Sequence, residues 1–378
     1  MVTLALEGGG PERDTVLLCN ALAGKGAQIA LLVLRKTGPL RSLLDPSVQL
    51  IDIAQPRIRY VIPRMRRVIR SLAPAVVIGS GIPSLNLATL AAVRSLPRAH
   101  RPVLILREAA VPSMARRDPS TSNRVAYRIL RHVYRYADHI VTLTEGARRD
   151  LVREFSVPVS MVSVLSTNAV LSPEMVYRVS RCDGDYEREN DLIVCVGRLS
   201  AEKDQRTLLR AMTLLPPNRQ WRLAIVGDGP ERGACETFVR KNGLSHRIQF
   251  TGSVADPLSW MKRARVAVCP SIYEGLGNAI IEALACGTPV VCTDCPYGPR
   301  EILEGGRYGT LTPVGDAAAM AAAIATTLDR APDRRLLIKR SLHFTAERAA
   351  ARFLEIMVAL ELKPTAARRL AVLAGVAA

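Results

Sequence analysis

Aromatic side chains are scarce in this sequence: Phe, Trp and Tyr together supply 4% of its 378 residues. That leaves few platforms on which single-stranded nucleic acid could stack. Eight cysteines stand singly, within apolar runs (Cys19, Cys195, Cys269) or near turns (Cys182, Cys295), without a framework spacing. A disulfide-stapled secreted domain is thereby excluded, and a reducing cytoplasm is the expected setting. The opening residues MVTLALEGGG have neither the basic segment nor the long apolar core of a secretory signal. No G-x-x-x-x-G-K-[ST] occurs, which removes a P-loop, and no Ser-His-Asp set stands out. Metal-ligand spacing is also poor. Cys292-x-x-Cys295, with Cys286 upstream, has no second cysteine pair or histidine pair beside it. Asp183-Gly184-Asp185 follows no strand and is expected to be a solvated turn, so no metal site is expected.

Negative charge is in short supply too. Asp and Glu number 34 against 52 Lys and Arg, a formal charge of +18. Such a surplus points to a polyanionic partner: nucleic acid, an anionic membrane face or a phosphorylated substrate. Residues 1–170 carry 24 of the cations and 11 of the anions, so most of the surplus lies in the first half. There, RIRYVIPRMRRVIR (57–70) and RVAYRILRHVYR (124–135) space arginines at helical intervals among apolar residues. Two readings fit, a solvated helix face or a surface that meets anionic lipid headgroups. Nucleic acid is disfavoured, because no nucleic-acid-binding module is present.

With 48% hydrophobic residues the chain is globular, and its length favours two domains. The uncharged stretch from Ser71 to Val93 is long enough to span a membrane, but Pro74, Gly79, Gly81, Pro83 and Asn86 interrupt it. It reads as a buried strand (Ala75–Gly79), a loop and a helix from Ser84. Strands are expected at Val2–Leu6, Gln28–Leu34, Val48–Ile53, Ala75–Gly79, Val103–Leu106, His139–Leu143 and Met161–Val164. A second series follows at Leu192–Val196, Arg222–Val226, Arg247–Phe250, Val266–Cys269, Pro289–Cys292 and Thr310–Thr312. Amphipathic stretches such as Thr207–Leu215 and Asn278–Ala285 alternate with them. Apolar strands separated by helices predict an α/β protein whose parallel sheets are covered on both faces. The polar run PEMVYRVSRCDGDYEREND (173–191) is read as the linker between two such halves.

In sheets of this kind ligands sit beyond the carboxyl ends of the strands, where glycines let backbone N–H groups approach phosphates. Four loops qualify. Gly8-Gly9-Gly10 follows the first strand. Gly197-Arg198, with Lys203 beyond, offers two cations suited to a pyrophosphate. Gly227-Asp228-Gly229-Pro230 hints at dinucleotide binding, but Arg232 stands where a third glycine belongs. Glu274-Gly275-Leu276-Gly277-Asn278 leads into a helix carrying Glu282, a spacing that fits either two carboxylates on one rim of a cleft or a helix cap followed by a solvated helix residue. Carboxylates there would accept hydrogen bonds from vicinal hydroxyls of a sugar or ribose.

In order, these segments resemble the family-4 retaining glycosyltransferases of the GT-B fold. The resemblance rests on VGRLSAEKDQRTLLRA (196–211), VGDGPER (226–232), FTG (250–252) and PSIYEGLGNAIIEALACGTPVVCTDCPYGPREIL (270–303). GGGPERDTVLLCNALAGKG (8–26) and VTLTEGARRDL (141–151) add weaker matches in the first half. CPYGPREIL looks most like enzymes that use UDP-hexoses or UDP-N-acetylhexosamines to build bacterial surface polysaccharides.

The resemblance implies two Rossmann-like domains with parallel sheets facing a central cleft. Residues 1–172 would form the acceptor domain, 173–190 a linker and 191–345 the nucleotide-sugar domain. A C-terminal helix within 346–378 would cross back toward the first domain. Arg198 and Lys203, beside Gly197, match the pair that binds the donor diphosphate, Glu274 the carboxylate at the donor sugar, and Glu282 the one at the ribose. The amides of Gly275, Leu276, Gly277 and Asn278 lie beside Glu274, and Gly9 and Gly10 match the N-terminal loop near the phosphates. Implied partners are a UDP-linked nucleotide sugar and a lipid-linked or oligosaccharide acceptor, with no cofactor and no nucleic acid. In the family's retaining mechanism the leaving phosphate takes the acceptor's proton, so no protein base is required. One departure stands out: REAAVPS (107–113) has Ala109 where related enzymes often carry a histidine, leaving Glu108 or a main-chain group as substitutes. His132 and His139 are read as structural. Rival readings are a non-catalytic nucleotide-sugar or polyanion-binding protein and a Rossmann oxidoreductase.

Overall fold

The computed structural model describes residues 1–7, 9–55, 58–117, 121–180, 188–216, 218–330 and 332–360. Gly8, the Asp183-Gly184-Asp185 turn and the end of the expected C-terminal helix lie outside them. The chain divides into two compact units, Met1–Ser172 with Phe344–Ala378, and Pro173–His343.

The first unit contains β1 (Val2–Thr3), β2 (Ala30–Val33), β3 (Gln49–Asp52), β4 (Val76–Gly81), β5 (Val103–Glu108), β6 (His139–Thr142) and β7 (Val162–Val164). They form one parallel sheet in the order β3-β2-β1-β4-β5-β6-β7. Crossovers run through α1 (Gly10–Gly24), α2 (Val61–Leu72), α3 (Pro83–Arg94), α4 (Thr121–Val133) and α5 (Glu145–Phe155). Val61, Met65 and Ile69 give α2 one buried stripe at i, i+4, i+8, while its arginines face outward. Strand order reverses between β1 and β4, so the loops after these two strands flank this sheet's natural ligand crevice.

The second unit repeats the scheme with α6 (Pro173–Ser180), β8 (Glu189–Val196), α7 (Gln205–Thr213), β9 (Arg222–Val226), α8 (Arg232–Lys241), β10 (Ile248–Gly252) and α9 (Pro257–Arg263). It continues with β11 (Ala264–Cys269), α10 (Asn278–Ala285), β12 (Val290–Thr293), α11 (Gly298–Ile302), β13 (Thr310–Thr312), α12 (Ala317–Asp329) and α13 (Arg334–Ser341). Its parallel sheet runs β10-β9-β8-β11-β12-β13, and the order reverses between β8 and β11. Every expected strand is present, with ends shifted by a few residues. The segment expected as a linker differs, because Pro173–Ser180 is helical. Pro173 suits the first helical position, and Met175 and Val179 bury one face at i, i+4 spacing within an otherwise polar run.

The helix α14 (Ala346–Ala359) belongs to the first unit. Thr345 caps it by accepting from the Arg348 amide, and Leu171 bridges to Thr345. Buried Ala349, Ala350, Phe353, Leu354 and Met357 pack this helix against α1. No helix among the described residues is long and apolar enough to cross a membrane.

Candidate active site

In the second unit the loops after β8 and β11 meet at the reversal of strand order. Lys203 Nζ lies 2.6 Å from Glu274 Oε1, although 71 positions separate the two residues. A backbone bond from the Ile272 amide to the Glu202 carbonyl, 2.8 Å, ties the same loops together. Burial disfavours the charged form of Lys203, but the Glu274 carboxylate outweighs it and raises the Lys203 pKa. The pair is partly wet, with 29% of the Lys203 side chain and 12% of Glu274 exposed.

Arg198 projects into solvent from the same β8 loop. Its carbonyl accepts from Gln205 Nε2 at 2.9 Å, and Gln205 opens α7 behind the Asp204 cap. The Gly227–Pro230 loop supports this segment from below. The Leu199 amide donates to the Asp228 carbonyl, and the Glu231 amide donates to the Leu199 carbonyl. A Cβ on Gly227 would come within 2.0 Å of the Gly197 carbonyl oxygen, and one on Gly229 within 2.2 Å of that of Leu199. These glycines are therefore accounted for by backbone packing against the Arg198 loop, which removes the basis for the dinucleotide reading.

Gly277 caps α10 at φ +110°, a conformation that favours glycine, and supplies no side chain to the helix N-terminus. The amides at this end and the helix dipole suit an anion. Gly275, Leu276, Gly277 and Asn278 thus line the start of α10, and Glu282 lies buried one turn on. Glu274 is fixed through its backbone: its amide donates to the Pro296 carbonyl and its carbonyl accepts from the Tyr297 amide. The structure therefore gathers Arg198, Lys203, Glu274 and the α10 N-terminus around one reversal point. Ser271, Thr293 and Gln205, which brace these loops, were not singled out from sequence. Small polar residues in an apolar context carry no periodic signal.

In the first unit, Gly9 caps α1 and Gly10 begins it, placing both at the corresponding reversal point beside β4. Ala109 follows β5, and Glu108 is not open to a ligand there. Its carboxyl is buried beneath α3 and α4, where Oε1 accepts from Asn86 Nδ2 and from the Tyr134 hydroxyl, each at 2.9 Å. Burial is the dominant cause of its raised pKa, which moves from 4.5 to about 7 despite these donors. Ionisation of Glu108 thus costs the fold nothing below about pH 4.5 and its full penalty above about pH 7. Glu108→Gln is expected to stabilise the chain by about 2–3 kcal/mol at pH 8, and the gain should vanish near pH 4.5. Thermal melts of both forms across that range check the sign; a constant difference would refute it.

His139 is buried and pairs with Ser163 Oγ at 2.8 Å, while His132 is exposed on α4. Among the described residues no group of three or more His, Cys, Asp or Glu could hold a metal ion. Cys286 and Cys295 are buried, and burial pushes both thiols up to about 12.

Two doubly wound units, each with phosphate-suited loops at its strand-order reversal, define the class of paired Rossmann-like nucleotide-binding folds. Solved structures give the architecture. HepE of Anabaena, crystallised with UDP and glucose, matches with a TM-score of 0.72 at 18% identity, covering 94% of this chain and 98% of that one. WaaG, a glycosyltransferase of lipopolysaccharide biosynthesis, matches at 0.64 and 16%, covering 98% and 99%. The fold is therefore GT-B. Residues 9–167 match the glycosyl transferase 4-like domain and residues 190–330 the glycosyl transferases group 1 model. The chain belongs to the family-4-like glycosyltransferases of the GT-B fold.

Two curated relatives are similar over shorter spans. The N-acetylgalactosamine-N,N'-diacetylbacillosaminyl-diphospho-undecaprenol 4-alpha-N-acetylgalactosaminyltransferase of Campylobacter jejuni is 26% identical over 226 residues, 60% of each chain. The lipopolysaccharide core biosynthesis glycosyltransferase LpsE of Rhizobium meliloti is 34% identical over 149 residues, 39% of this chain and 43% of that one. The matched region thus spans less than two thirds of the length of either relative.

Proposed function

We propose that the chain is a retaining glycosyltransferase that moves a hexose or N-acetylhexosamine from a UDP-sugar to a lipid-linked or growing glycan in surface polysaccharide synthesis. The observation that carries this reading is the convergence of Lys203, Glu274, Arg198 and the α10 N-terminus at one strand-order reversal. A nucleotide sugar reacts by losing nucleoside diphosphate, so charge grows on the departing phosphate. Arg198 and Lys203 would stabilise it there, Glu282 would accept from the ribose hydroxyls, and Glu274 from the sugar. The departing phosphate oxygen would take the acceptor's proton, which leaves the anomeric configuration unchanged and needs neither a protein base nor a cofactor. Calorimetric titration with UDP, GDP and ADP, followed by NMR of the product anomer, tests the reading. Tight UDP binding and a retained anomer are expected; failure of all three nucleotides to bind would refute it.

The acceptor, on this reading, is reached at the cytoplasmic face of a membrane. α4 exposes Val125 (47%) and Ile129 (43%) among Arg124, Arg128 and Arg131. α3 packs against both this helix and the arginine-rich α2. Apolar side chains ringed by cations suit anionic headgroups, at about 1 kcal/mol per cation near the surface. Reversing Arg124, Arg128 and Arg131 to Glu is expected to lower sedimentation with phosphatidylglycerol vesicles at least tenfold. Equal binding of wild type and variant, or none by wild type at low salt, would remove the membrane contact.

A further inference from the structure

We infer that Ser271 is a positioning residue for the donor sugar, acting through Glu274 and distinct from the groups that hold the diphosphate. This rests on the donor-site reading above. Both side-chain contacts of Glu274 fall on one oxygen. Oε1 receives Lys203 Nζ at 2.6 Å and Ser271 Oγ at 2.7 Å, while Oε2 receives no hydrogen bond among the described residues. Ser271 is 2% exposed, and Thr293 Oγ1 donates to its carbonyl from the end of β12, so its place is set by the sheet. Glu274 is fixed at both backbone groups. The carboxylate therefore has one rigid anchor, Ser271, and one mobile one, the Lys203 ammonium on its flexible stem.

The arrangement has a consequence for donor entry. A diphosphate brings more negative charge than a single carboxylate, and the Lys203 ammonium can turn toward it. Glu274 then loses its cation while largely enclosed. The Ser271 hydroxyl is what remains to satisfy Oε1 and to hold the carboxylate aimed, with Oε2 available to accept from a sugar hydroxyl. A nucleoside diphosphate without its sugar makes no use of that aim. Ser271 therefore serves discrimination between the sugar nucleotide and the bare nucleotide, and not the affinity for the nucleotide itself.

The test is a set of calorimetric titrations of the full chain as wild type, S271A, E274Q and the double variant. Each is titrated with UDP and with UDP-glucose, UDP-galactose and UDP-N-acetylglucosamine, and thermal melts confirm folding. The readout is the ratio of each sugar nucleotide's Kd to that of UDP, which a general loss of structure would not move. S271A is expected to leave the Kd for UDP within about twofold and to raise the ratio about tenfold for at least one sugar, the scale of one hydrogen bond to a charged group. E274Q should raise the same ratio, and the double variant should add little, because the serine acts through the glutamate. An unchanged ratio for all three sugars in S271A, equal weakening of UDP and sugar nucleotides, or full additivity in the double variant would overturn the assignment of Ser271. If wild type bound no UDP, the donor-site reading would fall and this inference with it.

Discussion

Lys203→Ala is expected to weaken UDP binding by about 100-fold while leaving the chain folded. Two losses combine. The diphosphate forfeits a charge-assisted contact worth about 1.5–3 kcal/mol. Glu274 is also left without its cation, 12% exposed and next to the incoming phosphates, where its charge now repels them. The second loss can be separated from the first. In Lys203→Ala/Glu274→Gln the repulsion is gone, so part of the affinity should return, whereas two independent contacts would give an additive loss. The raised pKa keeps Lys203 protonated through the neutral range, and wild-type affinity should not fall between pH 6 and 9 through loss of this charge. Titration of the single and double variants across that range checks each part. Wild-type affinity in Lys203→Ala would mean that the ammonium does not reach the diphosphate.

The largest effect on stability is expected from Arg107→Met. Arg107 is fully buried in β5 and joins segments that are distant in sequence. Its guanidinium donates to Ser80 Oγ in β4 at 2.9 Å and to Asn168 Oδ1 after β7, and lies 3.8 Å from Asp14 Oδ2 in α1. Asn168 Nδ2 in turn donates to that Asp14 oxygen. Methionine fills much of the volume but removes the guanidinium that lies beside the buried Asp14 carboxylate. Removing one partner of a buried pair costs about 3–5 kcal/mol, because the other charge stays desolvated. For a unit of this size that lowers the melting temperature by roughly 10 °C. Adding Asp14→Asn removes the stranded charge and should recover part of the loss. Calorimetric melts of the three variants decide it; an unchanged transition in Arg107→Met would show that the network contributes nothing net.

Local order was legible from residue order alone. Apolar runs such as Leu192–Val196 and Arg222–Val226 announce strands, because a strand buried on both faces needs apolar residues in succession. Glycines at the strand ends announce the phosphate-suited loops for the same kind of local reason. Arg198, Lys203, Glu274 and Glu282 could each be picked out, since a charge beside such a loop departs from the pattern around it. The helix at Pro173–Ser180 escaped notice because its apolar face is only Met175 and Val179, too short a stripe to outweigh the polar residues between them.

Sequence by itself thus determined the α/β class, the two halves and the loops that could meet a phosphate, all properties written in spacings of a few residues. Tertiary structure alone decided which of those loops meet. Glu274 reaches Lys203 because β8 and β11 are neighbours in the sheet, and strand order is a long-range property that local periodicity does not encode. The same holds for Asp14 and Asn168, 154 positions apart yet hydrogen-bonded, and for α14, which follows the second unit in sequence but packs on α1. Glu108 shows the limit most plainly. From sequence it stood as a substitute for a missing histidine, but it points into the core, because alternate residues of a strand face opposite sides of the sheet. Which side chains meet Glu108 there depends on where α3 and α4 pack.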